Sequence, residues 1–302
     1  METDPVGIPS LKERLARTWK WLRPVIGIAL LAYVLCIVDW EVLLATIAQT
    51  NGWLIAVAVL IELLTVVPRV LRWRALLITQ GVRLPTMQLT SIYLIGSFFN
   101  NFLPSDVGGD SVRMLRVARA TGQGTDAVSS TVLERLLGML ATLTLGAVAV
   151  LANWQIASEG GLAIAVLAAL GVFVLGLVLL FNLGGIRRWA DKPKAQWLRT
   201  VAHKLADLYD SFHAFRYRRN TLALVTAYSM IYRLLMITGL YMQALALGIS
   251  IPFLWLVSAI SLIAVVTAMP FSLNALGLKE GAYVFFFGLV GVAAPQAVAL
   301  AL

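Results

Sequence analysis

The chain has 302 residues, of which 60% are hydrophobic and only 13% charged, with a formal net charge of +9. A soluble domain carries about 25% charged residues, and an apolar, charge-free run such as 162–183 is long enough for a hydrocarbon layer of about 30 Å, so a soluble globular protein is excluded. Nucleic-acid binding is excluded too, because the basic residues fall in short segments between apolar runs instead of on one solvated face.

Residues 1–20 are polar with Leu11, Leu15 and Trp19 at helical spacing, which predicts a short helix lying on the bilayer. Lys12, Arg14, Arg17, Lys20 and Arg23 precede the first apolar run, and no small-residue cleavage pattern follows it. The run is therefore expected to be an uncleaved first span over 21–40. Cys36 within it is the single cysteine, so no disulfide forms within the chain.

A second span is expected from Trp53 to about Pro68, followed by Arg69, Arg72, Arg74 and Arg83 on the inner side. The apolar segment 89–103 is short and stops at Asn100-Asn101-Phe102-Leu103-Pro104, with Gly108, Gly109, Asp110 and Arg113 just behind it. A complete crossing would put Arg113, Arg116 and Arg119 outside, against the positive-inside rule. A re-entrant excursion removes that conflict, and its irregular backbone needs protein or a wet cavity around it.

Spans at 128–151 and 161–183 follow, and then a polar segment over 184–220 with nine basic residues. Trp197, Val201, Leu205, Leu208, Phe212 and Phe215 form a helical stripe there, which reads either as an interfacial helix or as one packed on the bundle. His203 and His213 are too few and too far apart for a metal set, and no metal or cofactor motif is found. A span over 221–247 carries Arg233 in mid-run, a turn is expected at 248–252, and Pro270, Ser272, Asn274 and Gly277 interrupt the next run before Lys279-Glu280. A clean apolar segment over 281–302 closes the chain.

The expected fold is thus an all-α membrane protein of about eight hydrophobic segments, one or two re-entrant or broken, around a central polar cavity. Residues 1–20 form an N-terminal interfacial segment, 21–302 a single transmembrane domain, and 184–220 its cytoplasmic amphipathic connection. The N-terminus is expected in the cytoplasm, at the inner membrane.

Orientation accounts for 21 of the 24 basic residues and leaves Arg135, Arg233 and Lys279. Charges at membrane depth are costly and usually face a bundle interior or a wet cavity. Cations there suit a lipid phosphate, since a guanidinium fork matches phosphate oxygens, while Glu134 and Glu280 would meet an amine or hydroxyl. The plainer alternative is that these carboxylates only neutralise their neighbours, and Glu62 fits either network. The two interrupted stretches, 104–110 and 270–280, resemble the paired broken helices that flank a transporter site.

Several strings carry a further likeness. Arg69-Val-Leu-Arg72-Trp73, Gly96-Ser-Phe-Phe-Asn100 through Pro104, Gly108-Gly109-Asp110 with Arg113, Glu134-Arg135, and Pro270 through Gly277-Leu-Lys279-Glu280-Gly281 together resemble the membrane domain of the lysylphosphatidylglycerol synthase/flippase family. The resemblance implies movement of an aminoacylated or other phospholipid between leaflets. Two-part members continue into an aminoacyl-transferase domain, which does not follow here, so lipid synthesis is not expected.

The expected headgroup site then comprises Arg113, Arg135, Arg233 and Lys279 on phosphate, Asp110, Glu134 and Glu280 on an amine or hydroxyl, and Asn100, Asn101, Ser272 and Asn274 as neutral donors. Pro104, Gly108, Gly109, Pro270 and Gly277 would open the backbone. No cofactor, metal, nucleic acid or covalent chemistry is expected. The partner is a membrane phospholipid or lipid-linked substrate, with a second copy of the chain and a separate soluble synthase as further candidates. The rival functions are an enzyme or accessory acting on lipid-linked sugars, with Asp106 and Asp110 near a phosphate, and a non-transporting membrane partner.

Overall fold

The computed structural model describes residues 50–102, 108–152, 154, 161–182, 209–210, 215–268 and 277–301. Among them the regular structure is helical throughout: α1 (Gly52–Leu64), α2 (Val66–Thr79), α3 (Thr86–Phe102), α4 (Gly108–Thr121), α5 (Gly124–Ala152), α6 (Leu162–Asn182), α7 (Arg219–Ala246), α8 (Phe253–Ala268), α9 (Leu278–Gly288) and α10 (Ala294–Ala301). The expected interfacial helix, the first span and most of the connection over 184–220, with both histidines, lie outside the described residues. Phe215 alone of the aromatic and aliphatic stripe is seen, buried beside Leu76, Leu133 and Val225, which at this residue is packing on the bundle.

Two long units organise the rest. The first is α5, 29 residues that pack on α2, α4, α6, α7 and α8. At 1.5 Å per residue it is about 43 Å long, more than a hydrocarbon core requires. Its small residues let neighbours come close, the usual way to bind helices where apolar burial gives little preference over lipid. Gly146 leaves room for Ser261 of α8, whose hydroxyl donates to the Thr142 carbonyl at 2.9 Å.

The second unit is α1–α2 laid antiparallel along α7. Asn51 caps α1 and ties it to the end of α7 through its own N–H to the Ala246 carbonyl at 3.1 Å. At the other end, Thr79 donates to Thr221 at 3.2 Å. The chain does not leave its second span at Pro68 as expected. A one-residue break at Thr65, whose hydroxyl donates to the Glu62 carbonyl at 2.6 Å, puts Pro68 in the first turn of α2. Its missing N–H is harmless in that position, so α2 continues to Thr79. This carries Arg69 and Arg72 along α7.

Helices α3 and α4 form a close antiparallel pair. Asn100 accepts the Gly109 N–H at 2.7 Å, and Gly96 faces both Gly109 and Arg113. A β-carbon on Gly96 would come within 2.9 Å of the Gly109 carbonyl oxygen, so the approach depends on both glycines.

The last apolar run is not one element. It divides into α9, of 11 residues, and α10, of 8, which pack together. Gly291 turns the chain at φ 78°, and Pro295 opens α10. Neither helix reaches the roughly 20 residues of a spanning helix.

Candidate functional site

The centre of the site is Glu134 on α5, whose side chain is 1% exposed. Its Oε1 accepts from Arg72 Nε at 2.9 Å and Nη2 at 2.8 Å and from the Tyr93 hydroxyl at 3.3 Å, and its Oε2 accepts from Arg113 Nη1 at 3.2 Å. Four helices, α2, α3, α4 and α5, thus meet on one carboxylate. A buried charge is tolerable when paired and hydrogen-bonded, and both oxygens of this one accept from an arginine.

The network runs on from both arginines. Arg72 also donates from Nη1 to Ser229 of α7 at 3.4 Å, and Gly138, one helical turn beyond Glu134, leaves the space it occupies. Arg113 lies over the rings of Trp73 and Tyr93, 4.8 and 4.3 Å from their centroids, a stacking that favours guanidinium. It pairs with Asp110 one turn back on α4, and Asp110 also accepts from Arg135 Nε. Ser229, Arg72, Glu134, Arg113, Asp110 and Arg135 are therefore one connected chain of alternating charge.

A second cluster adjoins it around Tyr232. The guanidinium carbons of Arg69, Arg72 and Arg233 lie 4.5, 5.1 and 5.3 Å from the centre of that ring. Arg69 pairs with Glu62 at 2.6 Å, a bridge whose carboxylate is half exposed and therefore contributes little. Arg233 has no carboxylate partner among the described residues, its Nη1 donates only to the Met236 sulfur at 3.5 Å, and its Nε is buried with no acceptor.

Of these groups, Arg72, Glu134, Arg135, Tyr232 and Arg233 border a partly open cavity of about 530 Å³. Arg72, Glu134, Arg135, Arg233, Asn100 and Thr267 supply its polar wall, and Phe173, Met139 and Ala264 part of its apolar wall. In sequence Asn100 lies four residues before the interrupted stretch 104–110, and Thr267 three residues before 270–280. The size of the cavity falls in the range of small-molecule sites, about 300–1,000 Å³.

Of the residues expected at a headgroup site, the structure brings together Asn100, Asp110, Arg113, Glu134, Arg135 and Arg233. Gly108 and Gly109 open α4 beside them. Lys279 and Glu280 are elsewhere: Lys279 donates to the Ala301 carbonyl, and Glu280 accepts the Gly277 N–H at 2.7 Å. Neither borders the cavity. Pro104, Pro270, Ser272, Asn274 and Asp106 lie outside the described residues, as does the side chain of Asn101.

Glu134 and Asp110 are each held by two arginines. The division of basic residues is corrected in one respect: Arg72, assigned to orientation alone, and Arg113, assigned to it as well as to the headgroup site, are 8% and 5% exposed. Sequence reading also missed Arg69, Trp73, Tyr93, Ser229 and Tyr232. The signal for Arg69, Arg72 and Trp73 was their spacing of three and four residues, which sets them on one helical face.

The family model for the lysylphosphatidylglycerol synthase TM region matches residues 20–302. The comparisons with curated proteins and with solved structures gave no match.

Proposed function

The chain belongs to the lysylphosphatidylglycerol synthase TM-region family, and from that premise we propose that it translocates a phosphate-bearing lipid between the leaflets of the inner membrane. Membership places it in a membrane and gives it a lipid-related role. The observation that carries the finer reading is the cavity, a polar and cationic wall set among helices long and apolar enough to cross a bilayer. A lipid headgroup needs such a path because its charge cannot cross hydrocarbon unaided.

In this reading Arg233 and Arg135 receive the phosphate, with Arg72 behind them and Asn100 and Thr267 as neutral partners. The Glu134 network holds Arg72 and, through Arg113 and Asp110, Arg135 in place before any ligand arrives, so little ordering cost falls on binding at those two. The α3–α4 pair is the re-entrant element, the N-terminus is cytoplasmic, and the acyl chains remain in lipid while the headgroup crosses. No covalent step is included in this function.

The test is scrambling of labelled lipids in vesicles containing the purified protein, followed by mass analysis of the extracted lipid. Transbilayer movement of a phosphate-bearing lipid that falls at least about tenfold with Arg233→Gln, with lipid masses unchanged, is the expected outcome. A covalently altered lipid would favour the lipid-linked sugar enzyme instead. No movement by folded protein would reject translocation.

A further inference from the structure

A second cavity, of about 290 Å³, lies between α2 and α7 and shares no described lining residue with the first. Arg74, Ile78 and Thr79 of α2 border it, with Thr221, Leu224 and Tyr228 of α7. Spacings of four on α2, and of three and four on α7, set these residues on facing stripes of the two helices. The hydroxyls of Thr79 and Thr221 meet at 3.2 Å where α2 ends and α7 begins. Ile78 and Leu224 are 41% and 47% exposed, so the apolar rim is turned outward, where a membrane helix meets acyl chains.

Arg74 differs from Arg72, two residues away. Arg72 is engaged by Glu134 and Ser229, whereas Arg74 makes no ion pair or hydrogen bond among the described residues, and its Nε is buried without an acceptor. A buried donor left without an acceptor is destabilising, which makes an oxygen from a ligand in the cavity its natural partner. The depth suits a phosphate. Helices α1 and α2 together cover 28 residues, about 42 Å of helix, so about 6 Å passes each face of a hydrocarbon core of about 30 Å. Arg74 is five residues from that end, about 7.5 Å along the axis, and its guanidinium is thus at the boundary between acyl chains and headgroups.

We infer that the second cavity binds one phospholipid of the surrounding leaflet, with the phosphodiester on Arg74 and the hydroxyls of Thr221 and Tyr228 and an acyl chain over Ile78 and Leu224. A guanidinium presents a fork of donors to phosphate oxygens, and the hydroxyls add neutral ones. The ligand class is a glycerophospholipid, recognised through its phosphate whatever group lies beyond it. The site is separate from the one assigned to translocation, so the inference does not rest on that function, and the failure of either leaves the other standing.

The test is titration of the full chain, delipidated in neutral detergent, with phosphatidylglycerol, read by native mass spectrometry. The parent should bind one equivalent that Arg74→Gln weakens at least about tenfold and that Arg74→Lys largely retains. Arg74 is in no ion pair among the described residues, so its replacement breaks no pairing that holds the fold. The effect should persist in an Arg233→Gln background, because Arg233 borders only the first cavity. Arg83 is exposed just past α2 and borders neither cavity, so Arg83→Gln should leave this equivalent unchanged. Diacylglycerol with the same chains should bind at least about tenfold weaker, and glycerol 3-phosphate at the lipid concentration should displace nothing.

An unchanged titration for Arg74→Gln overturns the inference. So does an equal loss from Arg83→Gln, which would reduce the effect to general attraction between the lipid and the basic residues at that end, or disappearance of the Arg74 effect in the Arg233→Gln background. Diacylglycerol bound as tightly as phosphatidylglycerol would make the cavity an apolar groove, and displacement by glycerol 3-phosphate would make it a site for a soluble phosphate. Either result rejects a phospholipid site.

Discussion

Helices α4 and α9 start alike and end in different roles. Each follows a proline-containing interruption, begins beside glycine and carries an acid at its third residue, Asp110 in one and Glu280 in the other. Asp110 takes arginines from its own helix and from α5, which joins α4 to the middle of the bundle. Glu280 turns back to the Gly277 N–H and finishes its own helix end. The local pattern is the same in both, and the difference is that α5 presents Arg135 to one and no ion pair reaches the other among the described residues. An acid behind a helix break is therefore a capping device by default, and belongs to a larger network only when another helix brings the cation.

The sharpest way to break this comparison is at the point where the α4 side converges. Glu134→Ala leaves Arg72 and Arg113 buried with one carboxylate fewer, a change that costs about 3–5 kcal/mol when one partner of a buried pair is removed. Thermal unfolding of the purified protein should show the largest loss in the series, together with loss of lipid movement. A variant as stable as the parent would mean that the alternating chain of charge does not hold the four helices together. Next comes Gly96→Leu, which drives a side chain into Arg113 and the Gly109 backbone. Overpacking of this kind costs about 1–3 kcal/mol. Increased protease cleavage between α3 and α4 is the expected readout, and unchanged protection would show that the two helices do not depend on that contact.

How much of this was legible in sequence follows from what each feature depends on. The bounds of α5, α6 and α7 are close to the apolar runs that predict them, because a membrane helix is set by length and hydropathy alone. The charges of Arg113, Arg116 and Arg119 suggested a re-entrant excursion, and the structure adds the antiparallel packing of α3 on α4. Pro68 misled because proline ends a helix only where its N–H is needed, and whether that position is a first turn depends on the break at Thr65. The division of the last run was overlooked although Gly291 and Pro295 mark it, since hydropathy passes smoothly across them.

The site was half legible. Glu134-Arg135 and Arg233 stood out as charges that orientation did not explain. Arg72 was hidden by an orientation rule that counts a cation near a span end without asking which way it points. Tyr93 and Tyr232 look like ordinary aromatics in apolar runs until their neighbours are known. What the sequence lacks is the crossing of helices: Arg72 reaches Glu134 across 62 residues and Ser229 across 157.

The direct form of the comparison is a pair of isosteric changes, Asp110→Asn and Glu280→Gln, each removing the negative charge while keeping the shape. Asp110→Asn takes the anion from between two arginines, and should cost about 3 kcal/mol and reduce lipid binding as Arg135 loses its anchor. Glu280→Gln retains a side-chain oxygen that can accept the Gly277 N–H, so it should cost about 0.5 kcal/mol, at the low end for a cap, with lipid binding unchanged. The two melting temperatures and the two binding curves decide the matter together. Equal losses from both would mean that Glu280 has a cationic partner of its own and that the two interrupted elements are equivalent. A large loss at Asp110 alone, in stability and binding at once, would locate the difference in Arg135, the residue that converts an ordinary helix start into one wall of the cavity.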